Sequence, residues 1–191
     1  MNAENPQDEK WTLILSPRRG WFDLRLREIW RYRELIMLFV RRDFITSFKQ
    51  TILGPVWFFI QPVLTTIIFT FVFGNVAKLS TGGVPAPLFY LTGIIVWYYF
   101  AECLTKTSGT FVNNASIFGK VYFPRIVLPV SIVISGLMRF AVQFVLLLIV
   151  WIYYLTTGTA FHPRYELLLL LPVLLLLAGG LGLGFGILIS S

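Results

Sequence analysis

The chain has 191 residues, of which 57% are hydrophobic, 17% are aromatic and 13% are charged. Because soluble domains carry about 25% charged residues, a chain this apolar lacks the polar surface to cover a soluble core, and its composition also excludes disordered, collagen-like and disulfide-rich classes. A net charge of +7 is compatible with nucleic-acid binding, but the placement of the charges around long apolar stretches indicates an integral membrane protein.

Residues 1–20 are a polar tail without the apolar segment of a signal peptide, so none is expected. Residues 21–51 are predicted to form a cytoplasmic amphipathic helix in the membrane interface, because at about 100° per residue the apolar and charged side chains separate. The apolar face is Phe22, Leu26, Ile29, Trp30, Ile36, Met37, Val40 and Phe44. This helix either only anchors the first span or also packs against a cytoplasmic partner.

Residues 52–191 contain four apolar stretches, each long enough for the about 20 residues that a transmembrane helix needs. The predicted spans are about 52–73, 87–104, 126–155 and 167–190. Barrel strands are excluded because the stretches do not alternate. The predicted fold is therefore an all-α integral membrane protein, an amphipathic N-terminal interface helix followed by four transmembrane helices.

The Lys and Arg residues are distributed unequally between the two sides of these spans. The segment before the first span and the loop 105–125 together hold thirteen, whereas the two opposite loops hold only Lys78 and Arg164. Since cytoplasmic loops carry the excess of basic residues, we expect the N-terminus and the loop 105–125 to be cytoplasmic.

Residue patterns for catalysis or metal binding are missing from the sequence. His162 is the single histidine and Cys103 the single cysteine, so metal-ligand spacing is absent. Gly119-Lys120 is followed by Val121, where a phosphate-binding loop requires Ser or Thr. The chain is therefore not expected to be an enzyme or to hold a cofactor or metal, and energy for any transport must come from another chain.

Three stretches of the sequence, in this order and spacing, carry a family resemblance. They are RRDF at 41–44 with KQTILGPVW at 49–57 and QP at 61–62, then FTFVFGNVAK at 69–78 with PAPLF at 85–89, and last NN at 113–114 with KVYFPR at 120–125. Over about residues 30–190 the chain resembles the membrane subunit of ABC-2 type polysaccharide exporters, the permeases for O-antigen and teichoic-acid chains.

The resemblance implies a permease of the bacterial inner membrane that works as a homodimer with two copies of a separate ATPase. It also implies that the cargo is a polysaccharide carried on a polyprenyl diphosphate lipid. The family has six transmembrane helices where this sequence shows four, so we expect a C-terminally truncated permease. The chain also departs from the family at Arg139, where an acidic residue is usual.

By the same resemblance, the segment between the second and third spans is a short coupling helix that contacts the ATPase. Pro124 supports a break before the third span, because the residue before a proline is disfavoured in the α conformation; the alternative is an ordinary loop. The residues assigned to coupling are Asn113, Asn114, Ile117, Phe118, Lys120, Tyr122, Pro124 and Arg125.

Aromatic side chains suit a conduit for a repetitive glycan, because their ring faces stack on sugar rings. The alternatives for each residue are contact with lipid or packing between helices. The predicted conduit residues are Trp57, Gln61, Trp97, Tyr98, Tyr99 and Arg139.

Arg139 is the one charge inside the third span, where burial is costly. If the surplus length of that helix lies on the cytoplasmic side, Arg139 is near the interface and can pair with Glu102. If the helix is centred, Arg139 lies deep and faces a polar cavity, and attraction for a lipid diphosphate is a further hypothesis.

Two small-xxx-small spacings, Gly180/Gly184 and Gly182/Gly186, predict close helix packing, either against another span or across a dimer.

Two other functions fit the sequence less well. One is an ABC-2 permease for a drug or lipid cargo. The other is a membrane anchor or assembly protein that transports nothing and needs no ATPase.

Overall fold

A computed structural model describes residues 26–49, 56–115, 123–157 and 169–190. Within these ranges most of the chain is helical and no strand is found. The helices are α1 Leu26–Arg31, α2 Arg33–Lys49, α3 Trp57–Phe69, a π-helix Thr70–Val76, α4 Ala86–Ser108, α5 Thr110–Asn113, α6 Val127–Thr156 and α7 Leu171–Ser190. Four helical stretches are long and apolar enough to cross a membrane: α3 with the π-helix, α4, α6 and α7. The predicted all-α fold is confirmed for the described residues.

The second span is longer than predicted at its C-terminal end. α4 runs to Ser108 instead of residue 104, and its last turns contain two charged residues. The Lys106 ammonium lies 2.7 Å from Oε1 of Glu102, one turn earlier. Because a Glu-to-Lys pair four residues apart stabilises a helix, the charged stretch continues the helix.

The first span changes its winding along its length. Pro62 lies buried inside α3, and from Thr70 the chain continues as the π-helix, in which the Ala77 N–H donates to the Val72 carbonyl at 2.8 Å. The connection to α4 then turns through Gly82 and Gly83, both at positive φ. The first two spans therefore form an antiparallel hairpin.

α4 is the central helix of the bundle, because it packs against α3, α6 and α7. Its inward face contributes Leu91, Ile95 and Cys103 to an apolar core that includes Phe140 of α6 and Leu175 of α7. This core fixes which side of α4 remains open to the hairpin partner α3.

The amphipathic helix packs along the beginning of α6. Ile36, Phe39 and Val40 of α2 are buried against Phe123, Val127 and Leu128, with the Phe39 and Phe123 rings 6.0 Å apart. The helix therefore has a protein partner within its own chain.

The apolar residues of this helix differ in how far the rest of the chain covers them. Ile36 and Val40 are buried, and Ile29 and Phe44 are half-buried, but Trp30 is 71% and Met37 57% exposed. Some of these side chains are buried and others exposed because α6 covers only one flank of the apolar surface. Phe22 and the side chain of Leu26 lie outside the described residues.

Close packing of α7 on α4 depends on the glycines of one face. Gly179, Gly182 and Gly186 approach α4 so closely that an added Cβ would meet Tyr99, Cys103 or Thr107 at 2.7 Å or less. A Cβ added at Gly180 or Gly184 would meet no atom of another helix within 4 Å. Of the two predicted spacings, the Gly182/Gly186 pair is therefore confirmed as a contact with another span.

Candidate functional site

An aromatic groove lies between α3 and α4, with a volume of about 910 Å³. The groove is lined by Thr65, Phe69, Val84, Phe89, Tyr90, Thr92, Gly93, Ile94, Trp97 and Tyr98. Its aromatic rings contact one another: Tyr90 lies 6.3 Å from Phe69 and 5.4 Å from Phe89, both edge to face. The two helices therefore present an aromatic wall that no described part of the chain covers.

One hydrogen-bonded pair of hydroxyls joins the two walls of the aromatic groove. The Thr65 hydroxyl donates to the Gln61 carbonyl at 3.0 Å, and its oxygen lies 2.8 Å from the Tyr98 hydroxyl. Since the Thr65 proton is engaged, Tyr98 is the donor in the second bond. This bond fixes the Tyr98 ring against α3.

Four predicted conduit residues fit the position of the groove. Trp97, 62% exposed, and Tyr98 line it directly. Trp57 and Gln61 are exposed and precede Thr65 at intervals of four residues, so they continue the same helical row. The structure brings these four side chains to one side of the α3–α4 hairpin.

Tyr99 is not brought to the aromatic groove. Its side chain is 4% exposed and packs between helices, with its ring 5.9 Å from that of Phe140. A Cβ added at Gly179 would lie 2.5 Å from its hydroxyl. Adjacent residues of a helix point about 100° apart, so Tyr98 and Tyr99 face different neighbours.

Arg139 is held by charged and polar groups and is 6% exposed. Its Nε donates to Oε2 of Glu102 at 2.8 Å, and its Nη2 lies 2.7 Å from Oε1. Its Nη1 donates to the Ser47 hydroxyl at 3.3 Å. The predicted pairing with Glu102 is confirmed, and it places Arg139 away from the aromatic groove.

The two ends of the predicted coupling segment lie at the side of the bundle where α4 ends and α6 begins. Asn113 is exposed at the end of α5, and Asn114 donates from Nδ2 to the Thr110 carbonyl at 2.9 Å. Pro124 is half-buried and Arg125 exposed. The other four residues assigned to coupling lie outside the described ranges: Ile117, Phe118, Lys120 and Tyr122.

Sequence reasoning missed part of the aromatic groove, namely Thr65, Phe69 and Tyr90. Tyr90 and Trp97 are seven residues apart on α4 and therefore lie on one face of that helix. This spacing could have indicated the wall that α4 contributes to the groove. The contribution of α3 depends on the hairpin geometry. Among the described residues, no cluster of His, Cys, Asp or Glu could hold a metal ion.

Comparison with known proteins gives matches that cover most of the described helices. Residues 34–191 match the ABC-2 type transporter family. The chain is 26% identical over 129 residues to the O-antigen export system permease protein RfbA of Myxococcus xanthus, covering 68% of this chain and 49% of the relative. It is 30% identical over 105 residues to the protein of the same name in Klebsiella pneumoniae, covering 54% and 40%.

A further relative is the polysialic acid transport protein KpsM of Escherichia coli. It is 28% identical over 151 residues, which cover 75% of this chain and 55% of the relative. The chain thus spans about half the length of the relatives it matches. Because the family match includes most of α2 and all four spans, the chain belongs to the ABC-2 type transporter family.

Proposed function

We propose that this chain is part of a permease that moves polysaccharide across the bacterial inner membrane. The observation that carries the proposal is the likeness, across the same helices, to permeases named for O-antigen and for polysialic acid. These are different glycans, so the shared region suits a repetitive sugar chain in general. The carrier of the glycan would be a polyprenyl diphosphate lipid, as the family resemblance implies.

The aromatic groove supports a direct role of α3 and α4 in glycan passage. Trp97 and Tyr90 offer ring faces, which stack on sugar rings without selecting one sequence of sugars. Gln61, one turn from Thr65, adds an amide that can both donate and accept hydrogen bonds to hydroxyl groups. We therefore assign Trp57, Gln61, Trp97 and Tyr98 to the wall of the conduit. Tyr99 is assigned a role in packing between helices.

Energy for transport would come from a separate ATPase, with two copies of the permease and two of the ATPase in the complex. The segment between α4 and α6 is the contact we propose for the ATPase. Its support is the position of Asn113 and Arg125, which lie exposed at the two ends of the segment. The basic residues on this side and around α2 favour a cytoplasmic location.

The test is complementation of a strain that lacks its polysaccharide permease. The complete reading frame that encodes this chain should restore surface polysaccharide, and an affinity tag on it should recover an ABC ATPase. Trp97→Ala should lower export about two- to tenfold, because an aromatic face contributes about 0.5–1.5 kcal/mol to a stacked pair.

The matched control for Trp97 is Phe185→Ala, which removes an exposed aromatic ring from α7, away from the aromatic groove. It should export as the wild type does. Failure of the wild type to restore polysaccharide, together with transport of a drug or lipid, would contradict the glycan assignment. Absence of an ATPase in the recovered complex would contradict an exporter altogether.

A further inference from the structure

The ion pair between α4 and α6 reaches a third helix. Arg139 presents Nε and Nη2 to the two oxygens of the Glu102 carboxylate, and the same carboxylate holds Lys106. This fork geometry is specific to arginine, since lysine offers a single charged nitrogen. It leaves Nη1 of Arg139 directed toward α2.

Ser47 on α2 is arranged to accept that remaining donor. Its hydroxyl donates to the Asp43 carbonyl at 2.8 Å, so its proton is used within the helix. Its oxygen then accepts from Nη1 of Arg139, at 3.3 Å. A single side chain of α6 thereby joins α4 and α2.

This contact is the second attachment of α2 to α6. The first is the apolar cluster in which Phe39 and Val40 pack on Phe123 and Val127. Val40 and Ser47 are separated by about 10 Å along α2, at 1.5 Å per residue. The apolar cluster holds α2 as far as Val40, and the Arg139–Ser47 contact extends the attachment toward the C-terminal end of α2.

We propose that Arg139 is a positioning residue that clamps α2 to the α4–α6 pair, so that α2 moves together with the segment joining α4 to α6. The proposal rests on the proposed function, in which that segment receives the ATPase stroke. Phe123, at the end of the segment, is buried against α2. Displacement of the segment therefore pushes on α2 at the apolar cluster, and the Arg139–Ser47 contact carries the C-terminal part of α2 along with it.

A distance measurement tests the clamp without reference to transport. Spin labels are placed at two exposed positions, Thr46 on α2 and Met138 on α6, in the complete chain in lipid nanodiscs. We expect one narrow distance distribution in the wild type and a broader one in Arg139→Lys and in Ser47→Ala. Ser47→Thr keeps a hydroxyl and should restore the narrow distribution.

The matched control is Lys106→Gln, which removes the other positively charged partner of the Glu102 carboxylate, within α4 itself. It should leave the distance distribution narrow, because it does not touch α2. Arg139→Lys retains a positive charge beside Glu102, so folding is preserved in the variant that carries the test.

The second readout is the amount of ATP hydrolysed per polysaccharide exported by the complex with its ATPase. Loosening α2 should raise this ratio about tenfold, the scale of a coupling free energy between two sites, while ATP hydrolysis itself continues. An unchanged distance distribution, or an unchanged ratio in a working exporter, overturns the clamp. A wild-type chain that neither exports nor binds an ATPase overturns the proposed function instead, and the distance measurement still decides the clamp.

Discussion

At the scale of single residues, the aromatic groove depends on the contact between Thr65 and Tyr98. The two hydroxyls lie 2.8 Å apart and belong to different helices. Such bonds contribute about 0.6 kcal/mol on average between membrane helices. A modest energy suffices here because the consequence is geometric: the bond sets the direction of an aromatic ring in the groove.

We predict that Thr65→Val and Tyr98→Phe each lower the free energy of unfolding by about 0.6 kcal/mol, and that the double variant is no less stable than either single variant. Unfolding of the purified chain in mixed detergent micelles measures all three. Fully additive losses would mean that the two hydroxyls do not interact.

The control for this pair is Thr92→Val. Thr92 also lines the groove, but its hydroxyl donates to the Leu88 carbonyl within its own helix at 2.8 Å. Its loss should therefore show no coupling to Tyr98→Phe.

At the scale of elements, two kinds of contact hold helices to the central bundle. α7 approaches α4 through glycines, and α2 is held on α6 by an apolar cluster. The first contact leaves no room for side chains, and the second requires large ones. Adding side-chain volume should therefore destabilise the glycine interface, and removing side-chain volume should destabilise the α2 interface.

For the glycine interface, we predict that Gly182→Ala is destabilising by about 1–3 kcal/mol, the usual cost of overpacking. A Cβ there would lie 2.7 Å from Cys103 Cβ and 3.2 Å from the Leu104 nitrogen, and backbone atoms cannot move aside easily. Gly180→Ala adds the same atom to open space and should be neutral or stabilising by up to about 1 kcal/mol. Detergent unfolding of the two variants gives the comparison, and equal effects would contradict the assigned helix face.

For the α2 interface, we predict that Phe123→Ala releases α2 and exposes it to protease. The ring is buried against Phe39, and truncating a buried phenylalanine costs about 3–5 kcal/mol. Limited proteolysis should cut near α2 in this variant while α4, α6 and α7 remain intact. Val112→Ala, at an exposed position on α5, should be cut as slowly as the wild type.

At the scale of the whole molecule, helix α2, the C-terminal end of α4 and the beginning of α6 lie on one side of the bundle. The turn between the π-helix and α4 lies on the other side, together with the end of α6 and the beginning of α7. Consecutive spans bring their connections alternately to the two sides of the bundle, and the excess of Lys and Arg predicts that the first side is cytoplasmic.

We predict that a membrane-impermeant thiol reagent labels Ser80→Cys but not Val112→Cys in intact cells, with Cys103→Ser as the background. Both positions are exposed on the protein, so the membrane alone decides the labelling. Cys103 is buried against α7, where the smaller serine fits. Labelling of Val112→Cys alone would reverse the proposed topology.

The sequence by itself was sufficient for the fold class and for the number of spans, and it offered the pairing of Arg139 with Glu102 as one of two alternatives. Apolar length and the placement of basic charge are local properties, so they can be read along the chain. A lone arginine in a span needs an acidic partner. Glu102 is the candidate partner if the extra length of the third span lies on the cytoplasmic side.

Only the tertiary structure decided which residues share a surface. Tyr98 and Tyr99 are neighbours of the same type, yet one faces α3 and the other is buried beside α6 and α7. Likewise Gly182 contacts α4 and Gly180 does not, and Ser47 meets Arg139 across 92 residues of chain. In a membrane protein both the lipid-facing and the buried sides of a helix are apolar, so hydrophobic pattern alone cannot tell them apart, and the choice is made by which helices pack together.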